Sequence, residues 1–213
     1  MQKARSRLGR LVMAVLAVGV ALFSLRFWGV FAGHWFNIDP GIRALIERTP
    51  VQALTHMLVA PIALAVGPFQ FFPGLRARHL QLHRLTGRIY VAACLVAGLG
   101  GLATALDASG GPIAGFGFGL LAICWLGATL GAWQAAVRRR IGLHRLLMRF
   151  SYAMTFGAVT LRLQIPLGLM LGYASYPAMS VWLAYTSWIP NVVIVALYSA
   201  IEARGRSAAL AAG

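Results

Sequence analysis

Acidic residues are nearly absent from this chain. Only four Asp and Glu stand against 19 Lys and Arg in 213 residues, and each lies between apolar segments or at the end of one: Asp39, Glu47, Asp107 and Glu202. A proton-driven transporter normally uses a carboxylate deep within the membrane. The shortage therefore argues against an antiporter or a proton pump.

Cysteine is scarce as well, and the common hydrolytic motifs are missing. Cys94 and Cys124 lie near the middle of two apolar segments, away from any oxidising compartment, so no disulfide is predicted. The patterns G-x-S-x-G and H-E-x-x-H and the phosphate-binding loop do not occur. Neither a disulfide scaffold nor a familiar hydrolase is indicated.

Apolar residues, in contrast, make up 60% of the chain, and the mean hydropathy is +0.76. A soluble domain of this size could not hide so much apolar surface. Six apolar runs are each long enough to cross about 30 Å of hydrocarbon as a helix. They lie at about 11–31, 51–74, 89–107, 114–136, 150–172 and 179–201. The sequence therefore predicts an all-α integral membrane protein in which residues 1–213 form one six-helix bundle.

The basic residues are concentrated at alternate boundaries of these runs. Fifteen of the 19 Lys and Arg fall at the N-terminus, between the second and third runs, between the fourth and fifth, and after the last. The positive-inside rule then places these boundaries and both termini in the cytoplasm, in a bacterial inner membrane. We interpret the charge as topology and contact with anionic phospholipids, and not as nucleic-acid binding. The first run is interpreted as a retained helix, with cleavage after Ala32 as the alternative.

Two boundaries on the predicted cytoplasmic side carry a related seven-residue motif. Leu82-His83-Arg84-Leu85-Thr86-Gly87-Arg88 is followed sixty-one positions later by Leu143-His144-Arg145-Leu146-Leu147-Met148-Arg149. The motif predicts a parallel repeat, in which helices two and three correspond to helices four and five. Two imidazoles at equal depth can converge, and a pair of neutral imidazoles can ligate the iron of a b-type haem. His83 and His144 are therefore candidate haem ligands.

Arginines accompany both histidines in this motif. Arg84, Arg88, Arg145 and Arg149 would suit the haem propionates, because a guanidinium binds a carboxylate through two parallel hydrogen bonds. In the alternative interpretation, the motif binds phospholipid phosphates and helix N-terminal amides at the interface. His79 and His83 are four residues apart and could face a transition metal together, but no carboxylate or cysteine lies nearby to complete that site.

A second group of polar residues lies in the opposite half of the predicted bundle. It comprises His56, Arg162, Gln164 and Asn191. A charge at the depth of Arg162 costs about 2.5–3.5 kcal/mol on insertion scales, so its guanidinium is expected to face a partner. That partner is either backbone carbonyls and Gln164, or a ligand such as an anion, a quinone oxygen or a haem propionate. These four residues are the candidate lining of a ligand cavity.

Five short stretches form a combined pattern over roughly residues 56–198. They are Gly67-Pro68-Phe69-Gln70, His83-Arg84-x-x-Gly87-Arg88-x-Tyr90, His144-Arg145-x-x-Met148-Arg149-x-x-Tyr152, Thr160-Leu161-Arg162 and Trp188-x-x-Asn191. In these stretches the chain resembles a bacterial family of predicted multi-pass membrane proteins known only as domain of unknown function 2306. The resemblance implies membership and topology but no activity. The family favours an acidic residue a few positions after the last Asn, whereas this chain has Val195-Ala196-Leu197, so no role of that acid is carried over.

The arrangement also resembles, more loosely, the two-haem cytochrome b membrane proteins, whose core helices carry paired histidines at both faces. Only the cytoplasmic pair is present here, because the position sixty-one after His56 is Gly117. The first hypothesis is therefore a membrane oxidoreductase that transfers electrons, with one haem b between His83 and His144 and a quinone near Arg162. The rival is a non-redox carrier or lipid-binding protein that takes a small molecule or anion at Arg162. The third is a structural membrane partner.

Overall fold

The computed structural model describes residues 2–36 and 38–211, and within them all regular structure is helical. The α-helices, numbered in chain order, are α1 (Gln2–Phe23), α2 (Pro40–Arg48), α3 (Pro50–Val66), α4 (Pro73–Arg78), α5 (Leu80–Ala105), α6 (Gly111–Val137), α7 (Ile141–Thr155), α8 (Gly157–Met170), α9 (Tyr176–Thr186) and α10 (Ile189–Ala211). Two 3₁₀ segments, Ser24–Ala32 and Gly67–Phe71, continue α1 and α3. The short helices α2 and α4 were not expected from the sequence.

These elements form six helical spans that are long and apolar enough to cross a membrane. They are Arg7–Ala32, Pro50–Phe71, Leu80–Ala105, Gly111–Val137, Ile141–Met170 and Tyr176–Gly205. The predicted all-α fold with six spans is thereby confirmed. The fifth span consists of α7 and α8, and the sixth consists of α9 and α10.

The third and fifth spans begin earlier than the sequence predicted. They start at Leu80 and Ile141, well before the predicted 89 and 150. The reason is that His and Arg near a helix start lower the hydropathy but do not interrupt the helical backbone. His83 and His144 consequently lie inside the first turns of α5 and α7, not in the loops before them.

Close packing of the bundle depends on small residues, as is usual in lipid. A Cβ atom on Gly100 of α5 would lie 3.0 Å from both the backbone oxygen of Gln52 and the backbone nitrogen of His56 on α3. A Cβ atom on Gly67 would overlap the ring of Tyr152 and lie 3.0 Å from Cε2 of Tyr90. The second and third spans therefore meet closely at Gly100, and the second, third and fifth spans meet closely at Gly67.

The two ends of the bundle are distinguished by α2 and by the repeated motif. Helix α2 is capped by Asp39, whose carboxylate accepts hydrogen bonds from Gly41 N (2.8 Å) and Ile42 N (3.4 Å). Arg48 at the other end of α2 donates to the backbone oxygen of Asp107 (2.7 Å), which follows α5. We call this end of the bundle the α2 end. His83 and His144 lie at the opposite end, the motif end.

Among the described residues, proline lies in the interior of two α-helices. Pro61 lies inside α3 and Pro166 lies inside α8. A helical proline has no N–H group, so the carbonyl four residues earlier loses its helical hydrogen bond. The freed carbonyls are those of Met57 and Arg162.

Candidate functional site

The two motif histidines lie near each other at the motif end. The rings of His83 and His144 are within electrostatic range, and both side chains are half-buried. Nδ1 of His144 donates to the backbone oxygen of Ala132 (2.9 Å), which leaves Nε2 free to act as an acceptor or ligand. Nδ1 of His83 is buried and has no hydrogen-bond partner in the part of the chain that the structure describes. The structure thus places both rings at the same end of the bundle, and a hydrogen bond to the backbone anchors the ring of His144.

The motif arginines do not all face this pair. Arg84, Arg88 and Arg145 are exposed. Arg149 is instead bound to α10, because its Nη1 donates to Oε2 of Glu202 (2.6 Å) and its guanidinium lies over the Tyr198 ring. Within residues 2–36 and 38–211, no group of three or more His, Cys, Asp or Glu side chains is placed to hold a metal ion.

A cavity inside the bundle lies toward the α2 end and has a volume of about 260 Å³. All six spans and α2 contribute to its walls. Its polar lining includes Ser24, Arg26, His56, Arg162 and Tyr176, whereas most of the remaining wall is apolar. Within residues 2–36 and 38–211, no Asp or Glu lines the cavity. Two arginines therefore share a membrane cavity without a carboxylate.

Arg162 has only neutral hydrogen-bond partners. Its Nη1 donates to the backbone oxygen of Ala158 (3.0 Å), and its Nη2 donates to Oγ of Ser24 (3.0 Å). A guanidinium has five N–H groups. Three of them consequently have no protein partner among the described residues, and Arg162 is one of the residues that line the cavity.

Other polar groups of the cavity surround Arg162. The guanidinium of Arg26 and the rings of His56 and Tyr176 all lie within electrostatic range of it. Nδ1 of His56 donates to the backbone oxygen of Ala97 (2.9 Å), so Nε2 is the ring nitrogen left for the cavity. Arg26 stacks on the rings of Phe23 (3.8 Å) and Phe27 (5.2 Å), and its Nε is buried without a hydrogen-bond partner.

The residues that line the cavity are not the same as the group that the sequence suggested. It includes His56 and Arg162 but neither Gln164 nor Asn191. Gln164 exchanges hydrogen bonds with Thr186, at 3.2 Å in each direction, so it is not the partner of Arg162. Asn191 donates to Oγ1 of Thr160 (3.0 Å) and to the backbone oxygen of Ala153 (3.3 Å). Both amides therefore join the fifth span to the sixth.

Sequence reasoning missed Arg26, Ser24 and Tyr176 as cavity residues. Arg26 gave a signal, because it is a second arginine within an apolar run. The sequence does not tell whether Arg26 faces the interior of the bundle, because this depends on how the first span packs. Ser24 and Tyr176 gave no signal of their own.

A network of buried hydroxyl groups borders the cavity. The hydroxyl of Tyr90 is hydrogen-bonded to Oγ of Ser151 (2.8 Å) and to Oγ1 of Thr155 (2.9 Å). Nε1 of Trp125 donates to the same Thr155 oxygen (2.9 Å), and Ser151 is also bonded to Thr129 (2.7 Å). Trp125 and Thr155 line the cavity. The network therefore fixes part of the cavity wall and joins the third, fourth and fifth spans.

We expect a Thr155→Val variant to lose about 1–2 kcal/mol of unfolding free energy, because valine keeps the shape but leaves Nε1 of Trp125 buried without an acceptor. Thr104→Val is the matched control, since the Thr104 hydroxyl donates only to the backbone oxygen of Gly100 within its own helix. Thermal unfolding of both variants in detergent, followed by tryptophan fluorescence, measures the difference. Equal losses in the two variants would show that the network adds no stability.

The sequence profile of a predicted membrane protein family, DUF2306, matches residues 53–199 of the chain. The chain belongs to this family. The match covers five of the six spans and thus confirms the resemblance noted from the motifs. No curated protein and no solved structure matches the chain.

The motifs that carry the family resemblance have distinct positions in the fold. Gly67 packs against Tyr90 and Tyr152, and Nε2 of Gln70 donates to Oγ1 of Thr86 (2.6 Å). Thr160 and Asn191 are bonded to each other. Most of these residues therefore hold the spans together. Arg162 differs from them, because it lines the cavity.

Proposed function

We propose that this multi-pass membrane protein is a carrier that binds a small anion in the cavity between Arg26 and Arg162. The observation that supports the proposal is that the described lining of one membrane cavity contains two arginines and no acidic residue. A charged group within the membrane is costly unless it is paired. Arg162 donates only to a hydroxyl and a backbone carbonyl, which do not neutralise it. An anion that reaches the cavity would supply the missing charge.

Ligand-dependent stability provides the test. Binding to the folded state alone raises the apparent stability, by about 2.7 kcal/mol at a ligand concentration of 100 times the Kd. We expect small anions to raise the unfolding temperature of the protein in a non-ionic detergent. Arg162→Gln should lower the apparent affinity for the anion at least tenfold. Arg26→Gln should lower this affinity less, because Arg26 also stacks on two phenylalanines.

Arg84→Gln is the matched control for both variants, since Arg84 is exposed at the motif end and lies outside the cavity. It should respond to anions as the wild type does. An equal response from all three variants would mean that the anions act through general electrostatics, and the proposal would then fail.

The direction in which the cavity faces is part of the proposal. The excess of arginine at the motif end supports a cytoplasmic location for that end and for both termini, in a bacterial inner membrane. The α2 end would then face the opposite side. In a cysteine-free background, a membrane-impermeant maleimide should label Phe36→Cys but not Gly74→Cys in whole cells; the reverse result would invert the topology.

Electron transfer through a haem b between His83 and His144 is the second candidate, with a quinone near Arg162. Two observations support it: the rings are within electrostatic range, and Nδ1 of His144 is anchored to a backbone carbonyl, as in many metal-ligating histidines. Two other observations weigh against it: the ring of His83 is not anchored through Nδ1, and Arg149 is paired with Glu202. A reduced-minus-oxidised spectrum without Soret or α bands, after haem-supplemented expression, would exclude it.

A further inference from the structure

The walls of the cavity limit the kind of anion that fits. On α6, Phe118, Leu121, Ala122 and Trp125 all line the cavity. Their spacing of three, four and seven residues places them on one face of the helix. The fourth span therefore presents an unbroken apolar face to the cavity, whereas Ser24, Arg26, His56 and Arg162 come from the first, second and fifth spans.

The size of the cavity gives an upper limit. Pockets for drug-sized ligands have volumes of about 300–1,000 Å³. At about 260 Å³ this cavity lies just below that range. It is too small to enclose a haem or a whole phospholipid, and it suits a compact molecule of roughly ten non-hydrogen atoms.

The polar groups indicate how the charged part of the ligand is held. Arg162 retains three N–H groups without a protein partner, and a guanidinium binds a carboxylate through two parallel hydrogen bonds. Asp39 does not line the cavity, but its negative charge acts on Tyr176, which does. That charge disfavours a ligand with a second anionic group.

We infer that the ligand is a small monocarboxylate with a compact apolar body, such as an aromatic ring. Its carboxylate binds Arg162, with Arg26 nearby, and its apolar part packs against Phe118, Leu121 and Trp125. This inference rests on the proposed anion-binding function and narrows it to a substrate class. A purely inorganic anion would leave the apolar face of α6 uncovered, and a neutral aromatic molecule would leave the arginines unneutralised.

Three probes separate the contribution of the carboxylate to binding from that of the apolar ring. They are benzoate, its neutral isostere benzamide, and formate, which has the carboxylate without the ring. They are added at equal ionic strength to the full-length protein in dodecyl maltoside, and the unfolding temperature is measured. We expect an apparent Kd for benzoate at least tenfold lower than that for formate, and little or no effect of benzamide. Comparable affinities for benzoate and formate would overturn the inference, and so would tighter binding of sulfate or phosphate. Either result would still be consistent with the proposed anion carrier.

Variants of the apolar wall provide the second measurement. Ala122 is buried in this wall, and Ala122→Leu should remove the advantage of benzoate over formate while formate binding persists. Ala92→Leu is the matched control, because Ala92 is exposed on α5 and does not line the cavity. Should Ala122→Leu fail to fold, Phe118→Ala enlarges the same wall and should shift the preference from benzoate toward naphthoate. If the folded wall variant has the same ligand preference as the wild type, the inference is overturned. If the wild-type protein responds to no anion at all, the proposed function itself is overturned.

Discussion

A Gly67→Ala variant is expected to lose about 2–3 kcal/mol of unfolding free energy, although it adds only one methyl group. That methyl group would overlap the ring of Tyr152 and press on the ring of Tyr90. Neither ring can move aside easily, because both are buried and the Tyr90 hydroxyl is held by Ser151 and Thr155. Pro68 adds to the cost, since a residue with a Cβ atom disfavours the helical conformation of Gly67 before proline.

Gly127→Ala is the matched control for this prediction. Gly127 lies within α6, and a Cβ atom there would meet nothing within 4 Å. Alanine is the better helix former by about 0.5–1 kcal/mol, so the control should be as stable as the wild type or more stable. Unfolding of both variants in mixed micelles gives the comparison. A Gly67 variant as stable as its control would show that the second, third and fifth spans do not meet as closely as described.

An Arg162→Met variant is expected to make the ligand-free protein more stable, by about 1–2 kcal/mol, while abolishing its response to anions. Removing a charge from this depth recovers about 2.5–3.5 kcal/mol on insertion scales. The two hydrogen bonds lost with Ala158 and Ser24 are worth about 0.6 kcal/mol each in membrane proteins. Ser24 is not left without a partner, because its hydroxyl donates to the backbone oxygen of Val20 (2.9 Å).

The sign of this change distinguishes two roles for Arg162. If Arg162 is a binding residue that destabilises the ligand-free protein, its replacement makes that protein more stable, as is common at functional sites. An arginine that mainly joins the first span to the fifth through Ser24 would give the opposite result, a loss of stability in the methionine variant. Unfolding temperatures of the wild type and the variant, each with and without benzoate, measure both effects together.

Hydropathy was sufficient to predict the six spans, because each must supply about 20 apolar residues to cross the hydrocarbon. It was insufficient for the ends of the helices. The starts of α5 and α7 contain His83, Arg84, His144 and Arg145, which lower the hydropathy where the backbone is already helical. Helix α2 was missed for a different reason: it is short and amphipathic, and it lies between spans.

The cavity could be predicted only in part. Arg162 stood out because an uncompensated charge in an apolar run is rare, and His56 stood out as a polar group at similar depth. Their neighbours depend on helix rotation and on contacts across long stretches of sequence. Arg162 and Ser24 are 138 residues apart, and Tyr90 and Ser151 are 61 residues apart. A single sequence contains no measure of either pairing. Gln164 was therefore one of the possible partners of Arg162, although its side chain is hydrogen-bonded to Thr186.

Pro61 and Pro166 each lie inside an α-helix of the cavity wall, in the second and the fifth span. Each proline removes a backbone hydrogen bond about one helical turn from His56 or Arg162. Bending at these points breaks no further bond of that kind, so the second and fifth spans can tilt at lower cost than an uninterrupted helix. A molecule bound between these two spans therefore contacts helices that can bend. The cavity can adapt to the shape of the molecule without unfolding of either helix.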